Sequence, residues 1–104
     1  MEAEETEKIS AQKNNLAVNI KPNPFKATTS IIYQLTVPTN VEIKILDATG
    51  QVIKTFAAGY LDKGVHRITW NGRDNNGERV NAGVYFLRIK TEKDQIQTKF
   101  ILLK

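Results

Sequence analysis

Apolar and polar residues alternate with a period of two through most of this chain, and that pattern limits the fold more than any other feature. In VEIKILD, Val41, Ile43 and Ile45 point one way while Glu42 and Lys44 point the other. LAVNI aligns Leu16, Val18 and Ile20, and TTSIIYQLTV aligns Ile31, Tyr33, Leu35 and Val37. VHRITW sets Ile68 and Trp70 against Val65, Arg67 and Thr69. VYFLRIKT sets Tyr85, Leu87 and Ile89 against Phe86, Arg88 and Lys90, and IQTKFILLK aligns Ile96, Thr98, Phe100 and Leu102. VIKTFAAG returns as a partner to VEIKILD after the DATGQ turn, where Gly50 can supply a positive φ. Strands that alternate in this way have one wet side and one buried side, which belongs to antiparallel sheets. Seven short strands, with turn signals about every ten residues and no helical period, predict an all-β antiparallel sandwich.

A chain of 104 residues makes one domain. At this size a folded body buries only about 60–65% of its unfolded surface, which implies a thin core and little room for a deep catalytic pocket. Residues 1–14 contain four Glu and two Lys and almost nothing large and apolar. They read as a disordered leader or linker before a folded body over 15–104. MEAEETEKIS lacks the basic start and apolar stretch of a signal peptide, which is compatible with a cytosolic protein or with a fragment of a longer secreted one. No run of about 18 apolar residues is present, so no membrane insertion is expected. Cysteine is absent, which excludes disulfides and thiolate metal sites. The net charge is +4, which raises nucleic acid as a partner. Lys44, Lys54, Arg67, Arg88, Lys90 and Lys99, however, each sit singly within β-like segments. That spacing reads as solvated strand faces and protected sheet edges, and with no basic cluster or aromatic-rich motif no nucleic-acid partner is expected.

The stretch WNGRDNNGERVNAG raises the one metal question. Asn, Asp and Gly tolerate left-handed backbone, so the segment suits a two-step corner between sheets. Oxygen ligands in alternation would also suit Ca²⁺. Placing Gly77 at the invariant glycine of an EF-hand loop puts Gly72 and Gly83 at ligand positions, and neither has a ligating side chain. Asp74 and Glu78 remain as weak metal candidates, and the structural corner is the preferred reading. No cofactor is expected. Catalysis is not expected either. His66 is the only histidine, and Ser10 and Ser30 are the only serines available for a Ser–His–Asp unit. GERVNAG lacks the lysine and following helix of a phosphate loop.

The residues also carry a family resemblance. NPF with TTSIIYQL, then VEIKILDATGQVIKTF, then GVHRITWNGRDNNGERVNAGVYFLRI, then KFILLK, resemble the FlgD-like immunoglobulin family and the related C-terminal sorting domains of type IX secretion. The likeness covers about Asn19 to Lys104, and the W-N-G-x-D-x-x-G loop lies closer to the FlgD-like group. It implies a seven-stranded immunoglobulin-like β-sandwich that is not itself an enzyme. It also implies a module commonly carried at the C-terminus of large extracytoplasmic bacterial proteins. Flagellar members of the family help to scaffold the growing hook. Sorting members are recognised by an outer-membrane translocon and then cleaved. The expected role is therefore sorting or surface attachment of a secreted or cell-surface protein. The expected partners are the secretion machinery or an upstream domain of the same precursor, and the isolated domain is expected to be a monomer. A rigid spacer or hook scaffold is one alternative, and a carbohydrate-binding module is another.

Two groups of residues stand out as contact candidates. KFILLK is an apolar, β-prone segment with two lysines. At a sheet edge, Lys99, Ile101, Leu102, Leu103 and Lys104 could pair with a receptor strand. Phe86, out of phase with Tyr85, Leu87 and Ile89, is the aromatic most expected to be exposed and able to stack on a sugar. Trp70, in phase with Ile68, belongs to the core.

Overall fold

The computed structural model describes residues 10–103, and every strand in it belongs to one of two antiparallel sheets. The strands are β1 (Ala11–Lys13), β2 (Leu16–Lys21), β3 (Thr29–Leu35), β4 (Thr39–Leu46), β5 (Val52–Leu61), β6 (Gly64–Trp70), β7 (Gly83–Lys90) and β8 (Gln95–Leu102). The first sheet has the order β1-β2-β3-β6 and the second β5-β4-β7-β8. The expected all-β sandwich is the observed fold.

The period-two pattern decides what lies between the layers. Leu16, Val18 and Ile20 from β2 and Ile31, Tyr33 and Leu35 from β3 face Ile43 and Ile45 from β4 and Leu87 and Ile89 from β7, in one continuous core. Residues between them in sequence point outward, as the burial alternation along β3, β4 and β7 records. Each fully buried aliphatic side chain contributes roughly 1.5–3 kcal/mol. At one end of the core the aliphatic layer gives way to aromatics. The Trp70 ring lies 5.7 Å from Phe25, 5.5 Å from Tyr85 and 5.7 Å from Phe100, centroid to centroid. The Tyr85 and Phe100 contacts are edge-on, the geometry that ring quadrupoles favour.

Three expectations change. The described residues hold eight strands rather than seven, because Ala11–Lys13 pairs with β2. The intended linker is therefore structured from Ser10 onward, and the rest of it, residues 1–9, lies outside the described residues. Asn14, at φ 48°, makes the two-residue turn from β1 to β2, a conformation that asparagine tolerates. Val37 does not share the core face of β3 and is 42% exposed. The strand ends at Leu35, where Thr36 turns to bond Asn15 by both backbone and hydroxyl. The return strand β5 runs past VIKTFAAG to Leu61, with register shifts against β4 on either side of Glu42–Ile45.

Candidate functional site: the 71–83 loop and the β8 edge

The loop after Trp70 carries the chain from β6 in the first sheet to β7 in the second. Its first step is an Asp-centred turn. Asp74 Oδ1 accepts from the amides of Asn76 (2.9 Å) and Glu78 (3.0 Å), and the Gly77 amide donates to the Asp74 carbonyl at 3.0 Å. Gly77 sits at φ 81°, which a side chain would strain. The β4–β5 hairpin repeats this arrangement. Asp47 Oδ1 accepts from the amides of Thr49 (2.9 Å) and Gln51 (3.0 Å), the Gly50 amide donates to Asp47, and Gly50 sits at φ 91°. DATGQ and DNNGE are thus one turn used twice, and the shared D-x-x-G followed by Gln or Glu is its signal in the sequence.

The loop is held at three further points. The indole Nε1 of Trp70 donates to the Arg73 carbonyl at 2.8 Å, which ties the start of the loop to the core. Asn75 then reaches across to β5. Its amide donates to the Ile53 carbonyl at 3.0 Å, and its Oδ1 accepts from the Thr55 amide at 3.1 Å. Asn75 therefore covers the open edge of the second sheet, a task that no local pattern in the sequence announces. The end of the loop is closed by the Tyr85 hydroxyl, which donates to the Asn81 carbonyl four residues upstream. A tyrosine at the start of a strand, bonded back to the preceding corner, is a recurrent stabilising device of immunoglobulin-like sandwiches.

This geometry favours the structural corner. Asp74 is engaged by two backbone amides, and no cluster of three or more His, Asp or Glu suited to a metal ion is found among the described residues. Asp74→Ala should cost about 1–2 kcal/mol, the usual loss when a capping side chain that bonds turn amides is removed. The melting temperature of the native chain should be the same in millimolar calcium and in chelator. A calcium-dependent rise would restore the cation reading for Asp74 and Glu78.

The hydroxyl groups of Tyr33 and Tyr85 have pKa values raised above the usual 10.0. Burial is the cause for Tyr33, and burial with the nearby Asp47 charge is the cause for Tyr85. A raised folded-state pKa makes a contribution to stability that is complete below the unfolded value and lost as pH rises through the folded one. Chemical denaturation should therefore show stability falling above about pH 10. The fall should be smaller in Tyr33→Phe, which removes one of the two tyrosines with a raised pKa.

The C-terminal strand does not offer the free edge expected of it. Ile101 donates its amide to Asn23 Oδ1 at 3.0 Å and accepts at its carbonyl from the Phe25 amide at 3.0 Å. The Leu103 amide donates to the Phe25 carbonyl at 2.7 Å. The NPF segment between β2 and β3 thus occupies the outward backbone of β8, and Phe25 forms a parallel bridge with Leu102. Nearer its start, β8 is flanked by β1. Leu102 is a core residue, Ile101 is half-buried, and Lys99 and Leu103 are exposed. Lys104 lies outside the described residues. Beside Leu102 and Leu103 a cleft of about 260 Å³ is also lined by Arg79 and Asn81.

Phe86 is half-buried rather than free. It stands directly opposite Leu46 on the outer face of the second sheet, and Leu46 is buried. His66 stacks on Tyr33 at 5.4 Å, and its Nε2 is 2.9 Å from the Asp62 carbonyl, so that nitrogen carries the proton. Ser30 lies three rungs from the Tyr33–His66 pair, roughly 10 Å along the strand, and its side chain points to the other face of the sheet. Ser10 Oγ accepts from the Ile20 amide at 3.0 Å. No nucleophile–base pair forms from these residues.

A two-sheet sandwich with a tyrosine-closed corner and a loop bonded to its own backbone and to the edge of β5 belongs to the immunoglobulin-like class of modules. More specifically, residues 13–95 match the FlgD Ig-like domain family, and the chain belongs to that family. Over 49 residues, 47% of this chain, it is 39% identical to the basal-body rod modification protein FlgD of Salmonella typhimurium, and the match covers 21% of that protein. Among solved structures it is similar to latent dimeric PorU of Porphyromonas gingivalis, with a TM-score of 0.69 and 20% identity, covering 85% of this chain and 9% of PorU. It is also similar to PorZ of the same organism, with a TM-score of 0.61 and 23% identity, covering 84% of this chain and 11% of PorZ. PorZ is an essential bacterial surface component of the type IX secretion system. At these identities the structural likenesses establish the shared fold.

Proposed function

We propose that this chain is a non-catalytic accessory domain of a secreted or cell-surface bacterial protein, acting in sorting or surface attachment through type IX-like secretion. The observation that carries this reading is the likeness to PorZ, in which a module of the same shape makes up a small part of a long surface protein. The family match over residues 13–95 supports a module of this kind. The closed edge of β8 changes how recognition would work. A receptor would read exposed side chains such as those of Lys99 and Leu103, not unpaired backbone.

The second reading is a rigid spacer or scaffold, on an upstream domain or in hook assembly, and the identity to Salmonella FlgD favours it. Carbohydrate stacking on Phe86 loses support from that ring's position over Leu46. The test is a fusion of signal peptide, reporter and this domain, expressed in a bacterium with a type IX system and in a strain lacking its outer-membrane translocon. Sorting predicts that the reporter becomes protease-accessible on whole cells only with both domain and translocon present. Retention of a folded fusion in the periplasm of both strains would sink the sorting role and leave the spacer.

A further inference from the structure

The outer face of the second sheet gathers charge that the sequence spreads over three strands. Register across β4, β7 and β8 sets Glu42, Lys90 and Gln95 in one row, Lys44, Arg88 and Gln97 in the next, and Leu46, Phe86 and Lys99 in a third. Beyond these, Val84 pairs with Ile101. Side chains directly opposite in such rows are roughly 5 Å apart at Cβ. Lys44, Arg88, Lys90 and Lys99 therefore share one face with the carboxylate of Glu42, which lies 3.5 Å from the Lys44 ammonium, while Glu92, held by the Asn40 side chain, borders the face at its Lys90 end. Among the described residues no carboxylate is within ion-pair distance of Arg88, Lys90 or Lys99.

Two details of this face are unfavourable for the fold taken by itself. Lys44 and Arg88 are directly opposite, a placement in which like charges destabilise the sheet. Arg88 Nε is also shielded from solvent without a hydrogen-bond partner, the one side-chain polar atom in that position among the described residues. A buried donor with no acceptor is unfavourable. At the other end of the face the chemistry is apolar, with Val84 exposed and Phe86 and Ile101 half-buried.

We propose that this face docks an acidic polypeptide segment in which carboxylates are interspersed with apolar side chains. Carboxylates would meet Arg88, Lys90 and Lys99, and the guanidinium can take a carboxylate in bidentate fashion. Apolar groups would cover Phe86, Val84 and Ile101. A purely polyanionic partner satisfies only half of the face, so charge and apolar complementarity together select a peptide. The assignment is independent of export, since a spacer packing on an acidic neighbour would use the same surface.

The test is an amide NMR titration of the native chain with a synthetic peptide of alternating glutamate and leucine, alongside polyglutamate of equal length and a sulfated polysaccharide. Shift changes should fall on Glu42–Leu46, Val84–Lys90 and Lys99–Ile101, and the peptide should bind more tightly than either polyanion. Added salt should weaken binding. The double variant Lys90→Glu, Lys99→Glu alters two exposed side chains and should fold normally while losing about tenfold or more in affinity. Absence of shifts on this face, unchanged affinity in the double variant, or equal binding of either polyanion would overturn the proposal.

Discussion

Replacing Trp70 with alanine is expected to lower the melting temperature by on the order of 15–30 °C, read by far-UV circular dichroism. The indole is 1% exposed and touches three other rings at the end of the core. Truncating a large buried aromatic costs about 3–5 kcal/mol, a large share of the roughly 5–15 kcal/mol that holds a domain folded. The same side chain also fastens the loop, through its bond to Arg73. Trp70→Phe separates the two contributions. It keeps a ring in the cluster but leaves the Arg73 carbonyl without its donor, and a loss of about 1–3 kcal/mol is expected. If Trp70→Ala melted within a few degrees of the native chain, the aromatic cluster would not be what holds the two sheets together at this end.

Removing Ile101–Lys104 should have the second large effect. The deletion takes Leu102 out of the core and removes every backbone partner that Phe25 has on β8. A buried leucine lost to a cavity costs about 2–5 kcal/mol, and the missing hydrogen bonds add about 1 kcal/mol each. The truncated domain should therefore melt far below the native chain or fail to fold. An export defect in this truncation would not identify a receptor contact, because unfolding alone would produce it. Lys99→Glu and Leu103→Ser change exposed side chains and are the variants that test recognition. A truncation that melted like the native chain would contradict the packing described for β8.

Much of this architecture is legible from local pattern. Alternation alone places Ile43 and Ile45 against Glu42 and Lys44, and it puts Trp70 inside. Gly50 and Gly77 mark their turns because only a residue without Cβ adopts those backbone angles freely. The features that failed to show in the sequence are non-local. Lys44, Arg88 and Lys99 look scattered because strand order and register, set by contacts between distant segments, decide that they share a face. The edge of β8 looked open because its partner, Asn23–Phe25, lies 78 residues away in the Asn23–Ile101 bond. Asn75 is likewise unremarkable in sequence, although it covers the edge of β5. The β1 strand carries no sequence signal, because only three residues form it and Lys-Asn-Asn reads as polar linker.

Amide hydrogen exchange at Ile101 and Leu103 tests most directly whether the last strand belongs to the body of the sandwich. Both amides are donors, to Asn23 and to Phe25, and their protection should approach that of Leu87 and Phe100 in the core. Exchange at the rate of an unstructured peptide at both positions, with the core still protected, would mean that the strand's outer side is free after all.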